Sequence, residues 1–95
     1  MINKNALMCL LNNYSKYKWH TIEVQKSMPE YKRLEDALEL MRKSERKGEL
    51  YYQIIGNRYI FNFIENDKIR TKLGLSERSF YRYQKNALEF LRIYY

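Results

Sequence analysis

Near the start of the chain, apolar residues recur at intervals of three and four. Leu7, Leu10, Tyr14, Tyr17, Thr21, Val24 and Met28 form a heptad seam, widened by Leu11 and Ile22, that predicts a helix over about residues 3–27. Lys4, Lys16, Lys18 and Lys26 fall mostly off it. Residues 17–24 are rich in β-formers and also read as a strand, but a lone strand would have no partner, so a helix is expected. Pro29 then interrupts the pattern, with Ser27 and Glu30 at capping-box spacing. A second helix, about residues 29–47, sets Tyr31, Leu34, Leu38 and Met41 on one face. Its other face is charged, from Lys32, Arg33, Glu35 and Asp36 to Glu39, Arg42 and Lys43, and is expected to be solvated surface laced with ion pairs.

Gly48 is expected at C′ of that second helix. A third helix, about residues 49–63, carries Leu50, Tyr51, Ile54, Ile55, Tyr59 and Ile60. Gly56 inside it costs about 1 kcal/mol relative to Ala and marks close packing or a bend. Asn66 is expected to cap a short fourth helix, about residues 67–73, with Ile69 and Leu73 inward and Lys68, Arg70 and Lys72 outward.

The last stretch carries the most specific pattern. Gly74 suits a tight turn, because only glycine takes positive φ without steric cost. Ser76 is a natural N-cap for a fifth helix. On that helix Phe80, Tyr83, Ala87, Leu91 and Tyr94 form one apolar stripe, while Arg78, Arg82, Lys85 and Glu89 lie opposite, flanked by Ser79, Tyr81 and Asn86. A helix with a packed back and a basic, hydrogen-bonding front suits the major groove of DNA.

Charge strengthens this reading. The 95 residues carry a formal net charge of +7, which favours a polyanionic partner. The candidate DNA-binding residues are Arg78, Ser79 and Arg82 at base edges, Tyr81 at a phosphate or a thymine methyl, and Lys85, Lys68, Arg70 and Lys72 at phosphates. Other chemistries find little support. His20 is the only imidazole, no serine sits in a nucleophile elbow, and no glycine-rich phosphate loop is present, so no catalytic residue and no cofactor is expected. One cysteine, Cys9, excludes an internal disulfide and reads as a small core residue; no zinc pattern occurs. The apolar run of residues 6–11 is too short for a secretory signal, and no segment reaches a membrane span, so a cytoplasmic protein without a membrane partner is expected. Tyr14, Tyr17 and Tyr31 are expected to pack between helices, and Tyr94 and Tyr95 to dock back on the core or touch a partner.

The expectation is therefore an all-α protein of about five helices. Residues 1–47 are expected to form an N-terminal segment, a hairpin or a dimerisation element, and residues 48–95 a helix-turn-helix segment, the two packed as one unit. The run Leu73-Gly74-Leu75-Ser76, followed by a helix with Ala87-Leu88, resembles region four of sigma-70 factors. Ser76-Glu77-Arg78-Ser79-Phe80-Tyr81-Arg82-Tyr83, with Arg58-Tyr59 and Asn66-Asp67-Lys68-Ile69, is similar to the ArpU/RinA-type phage late-gene transcriptional regulators. The resemblance covers the second half of the chain. It implies an activator of late genes of a phage or phage-related element, acting on double-stranded DNA in a bacterial cytoplasm. Such an activator would bind beside a promoter and recruit RNA polymerase rather than replace sigma. Two alternatives stay open: a small-terminase-like DNA-packaging recognition subunit, and a protein-binding regulator whose helix-turn-helix does not touch DNA.

Overall fold

The computed structural model describes residues 1–18, 29–60 and 64–95. The protein is all-helical among them, with five helices: α1 (Lys4–Lys18), α2 (Pro29–Ser44), α3 (Gly48–Ile55), α4 (Asn66–Lys72) and α5 (Glu77–Tyr94). One π-helical turn, Gly56–Ile60, extends α3. None of the described helices is long and apolar enough to cross a membrane. The side chains of the α1 seam beyond Tyr14, with residues 19–28 and therefore Trp19, His20, Ile22 and the Ser27 capping box, lie outside the described residues.

Asn3 starts α1: its Oδ1 accepts from the Ala6 backbone N–H at 2.8 Å, satisfying an orphan donor of the first turn. Leu7, Leu11 and Tyr14 then bury the inner face, while Leu10 is only half-buried. They meet Leu34, Ala37, Leu38 and Met41 of α2, Ile55 and Ile60, and Ala87 and Leu91 of α5 in the larger of two apolar clusters. The described part of the seam is thus filled within one chain. Tyr14 adds a polar tie, its hydroxyl donating to Glu35 Oε1 at 2.8 Å, and its ring lies 6.5 Å from that of Tyr31. The main chain closes the ring of helices, with the Ile2 N–H donating to the Arg92 carbonyl at 2.9 Å.

Gly48 differs from its expected role. α2 stops at Ser44, and Gly48 begins α3 instead of ending α2. Among the described glycines only Gly74 has positive φ. Gly48 is needed for close approach: a Cβ there would run into the carbonyl oxygens of Met41 and Arg42. At Gly56 the expected bend takes the form of the π turn, with Gly56 itself in ordinary helical geometry at φ −61°. The adjacent Ile54 and Ile55 feed different clusters on either side of α3. Asn57, in the turn, is buried, and its Nδ2 donates to the Gln53 carbonyl at 2.8 Å; its own carbonyl accepts from Ile64 N–H at 3.0 Å.

The charged face of α2 is laced as expected. Lys32 pairs with Asp36 at 3.2 Å, Lys43 with Glu39 at 3.4 Å, and Arg42 reaches Glu49 on α3 at 2.6 Å. Cys9 corrects its expected role: it lies on the outer side of α1 and is exposed, since Leu7 and Leu11 already occupy the inward positions. Tyr94 is likewise exposed and stacks on Phe90 at 4.4 Å, whereas Tyr95 docks back, its ring under the Arg33 guanidinium at 4.4 Å.

Gly48→Ala forces two helices apart at their joint and is expected to cost about 1–3 kcal/mol, a typical overpacking penalty. Urea unfolding should show a lowered midpoint with an unchanged slope, while Cys9→Ser, on the exposed side, stays within about 0.5 kcal/mol of the parent.

Candidate nucleic-acid interface

The joint between α4 and α5 is built from local rules. Leu73 closes α4, and Gly74 follows with φ +69°. The Gly74 N–H donates to the Thr71 carbonyl at 3.1 Å and the Leu75 N–H to the Arg70 carbonyl at 3.0 Å. That pair of bonds is a Schellman motif, which satisfies carbonyls the helix end would otherwise orphan. Ser76 then caps α5 in extended geometry, its Oγ accepting from the Ser79 N–H at 3.2 Å. Glu77 stands in the first turn of α5 and Arg92 in its last, each complementing the helix dipole.

A second apolar cluster holds the joint from behind. Ile54, Ile69 and Phe80 are fully buried, with Leu50, Ile64, Leu73, Leu75 and Tyr83 packed around them. Gln84 on α5 adds a tie to the start of α4, its Nε2 donating to Asn66 Oδ1 at 3.2 Å. This corrects Asn66: Glu65 occupies the N-cap without a side-chain bond, and the Asn66 amide oxygen serves α5 instead.

Arg70 is corrected as well. Its Nη1 donates to the Leu75 carbonyl at 3.3 Å, and Nε is buried without a hydrogen bond, 3.9 Å from the Asp67 carboxylate. Arg70 fastens the turn and is only partly exposed. Lys68 and Lys72 of α4 are exposed as expected.

On α5 the two expected faces are present. Phe80, Ala87 and Leu91 are buried and Tyr83 is half-buried. Arg78, Tyr81, Arg82, Lys85 and Asn86 are exposed, and Ser79 is half-buried. Glu89 is matched by Arg92, whose Nη2 lies 2.6 Å from its carboxylate. That hydrogen bond, followed by the charges of Arg92 and Lys85, holds the Glu89 carboxyl below the usual range. Lys68, Lys72, Arg78, Arg82 and Lys85 form no ion pair among the described residues. The structure thus brings Arg78, Ser79, Tyr81, Arg82 and Lys85 onto one helix surface, with Lys68 and Lys72 on the preceding helix.

Two neighbours of this surface were not expected. Lys47, from the turn between α2 and α3, places Nζ 5.1 Å from the centroid of the Tyr83 ring. Its place beside Gly48 carries no local signal for such a contact. On the other flank, α1 and α5 leave a groove of about 440 Å³, with Leu7, Met8 and Leu88 in its wall and Lys4, Tyr81 and Lys85 around it. Compared with family models, curated proteins and solved structures, the chain matches none.

Ser76→Ala removes the acceptor that starts α5 and is expected to lower stability by about 1 kcal/mol, readable in thermal or urea unfolding. Gly74→Ala meets no neighbour within 4 Å, so its cost comes from backbone φ alone, about 1–2 kcal/mol.

Proposed function

We propose that the chain is a sequence-specific DNA-binding transcriptional regulator that places the N-terminal half of α5 in the major groove. The observation that carries this reading is the segregation of its charge. On α2, Lys32, Arg42 and Lys43 are matched by carboxylates and Arg33 donates to the Tyr95 carbonyl, whereas Arg78, Lys85, Lys68 and Lys72 have no ion pair among the described residues and surround one capped, packed helix. Arg78 and Ser79 reach base edges in this arrangement, the arginine through bidentate donation to guanine O6 and N7. Tyr81 meets a phosphate or a thymine methyl. Lys85, Lys68 and Lys72 meet phosphates and set the register. Arg70 takes no part in contact, since it is committed to the turn.

By its resemblance to ArpU/RinA-type regulators, the DNA it reads lies beside a late promoter of a phage or phage-related element, where the bound protein recruits RNA polymerase. The groove between α1 and α5 favours a second reading, a regulator that docks a protein partner there in place of DNA.

Fluorescence anisotropy across a salt series, with duplexes from the element that encodes the chain, separates the two. One duplex should bind far more tightly than the rest, and its affinity should fall steeply with salt. Arg78→Ala should cost about 1–3 kcal/mol on that duplex and blur the preference, while Lys85→Ala should weaken all duplexes alike. Weak, equal binding to every duplex, untouched by Arg78→Ala, sinks the DNA reading and leaves the protein-docking one.

A further inference from the structure

Lys47 belongs to neither α4 nor α5, yet its side chain reaches the edge of the reading helix. Its Nζ lies 5.1 Å from the centroid of the Tyr83 ring. Arg82 Nη2 lies 3.4 Å from the Tyr83 hydroxyl, with its guanidinium carbon 5.1 Å from the centroid of the same ring. Two cations therefore converge on one phenol. No carboxylate pairs with either among the described residues. The ring is braced by Tyr51, 6.2 Å away between centroids, and by the Phe80 cluster. The Arg82 guanidinium and the Lys47 ammonium together hold the Tyr83 phenol below the ordinary tyrosine range, a sign of positive potential at that oxygen.

Convergent cations with no anion between them repel each other, and an oxyanion reverses that balance. The donors suit a phosphate oxygen: a planar guanidinium fork, a compact ammonium and an O–H that can donate as well as accept. We propose that Lys47, Arg82 and Tyr83 form a site for one backbone phosphate of duplex DNA at the edge of α5, an assignment that rests on the DNA-binding reading above. It moves Arg82 from base edge to phosphate, because the side chain lies sideways along the Tyr83 ring. It also extends the contact surface beyond α4 and α5 to the α2–α3 turn, so that the N-terminal half of the chain takes part in gripping the duplex.

Two measurements on the intact chain test it. Dimethyl phosphate, a diester monoanion, should shift the side-chain NMR signals of Arg82 and Tyr83 along a saturable curve, and Tyr83→Phe should lose that saturation. A wild type that shows no saturable shift overturns the site, whatever happens with DNA. With duplex DNA, the double variant Lys47→Ala/Arg82→Ala, which strips the site of both cations, should flatten the salt dependence by about 0.9 in log–log slope, the share of one phosphate. From about 50 to 200 mM salt the wild type should then lose ~3.5-fold more affinity than the variant, with the ranking of duplexes unchanged. Equal slopes overturn the proposal. A chain that saturates with dimethyl phosphate but binds no duplex overturns DNA as the source of the phosphate, and places the failure in the DNA reading and not in the three-residue site.

Discussion

Phe80 closing against Ile54 and Ile69 is the contact on which the α4–α5 unit depends. α4 has seven residues, too few to persist as an isolated helix in water. Its place is secured by Ile69 below, by the Schellman bonds at its end and by Gln84 reaching back to Asn66. All of these converge on the first turns of α5. Burying a side chain of the size of Phe80 contributes about 1.5–3 kcal/mol, more than any single hydrogen bond in the turn. The orientation of the exposed face follows: with Phe80, Ala87 and Leu91 committed inward, Arg78, Lys85 and Arg82 have only the solvent side left.

The two apolar clusters are joined through α3 and its π turn. Consecutive residues, Ile54 and Ile55, point into different clusters, and the widened turn lets Ile60 return to the larger one. Asn57 shows how the irregular backbone is tolerated: its amide donates to Gln53, and its carbonyl receives Ile64. Buried polar groups at a distorted turn remain satisfied, so the distortion costs little hydrogen bonding. α3 therefore contributes to the packing of both the N-terminal helices and the α4–α5 unit.

What was legible in the chain followed range. Gly74 and Ser76 obey rules that span four or five residues, and the turn and cap they imply are present. The apolar stripes of α2 and α5 follow helical period, which a sequence displays directly; they fail at Tyr94, which is exposed and stacks on Phe90 while the next residue, Tyr95, packs against the core. Misreadings came from contacts between distant segments. Gly48 looks like a helix end in sequence, but its missing Cβ serves the backbone of Met41 and Arg42. Asn66 looks like a cap and instead accepts from a residue eighteen positions on. Arg70 looks like one more outward cation, yet the turn folds its guanidinium onto Leu75. Cys9 is apolar in its neighbours, but Leu7 and Leu11 leave no inward position for it.

Exposed ion pairs contribute little to stability, so nothing in folding compels a surface cation to have a partner. The contrast between α2 and α5 is therefore not a stability device. On α2, Lys32, Arg42 and Lys43 are paired with carboxylates, while Arg33 is held by Tyr95. Around α5 the positive charges are left standing, and Glu89, the acid at the centre of the far end of that face, is matched by Arg92. The exposed cations Lys68, Lys72, Arg78, Arg82 and Lys85 thus stand together on α4 and α5 without an ion pair among the described residues. Near that surface Lys47 adds a further cation, its Nζ 5.1 Å from the centroid of the Tyr83 ring whose hydroxyl accepts from Arg82, so that charge of one sign is left uncancelled at close range.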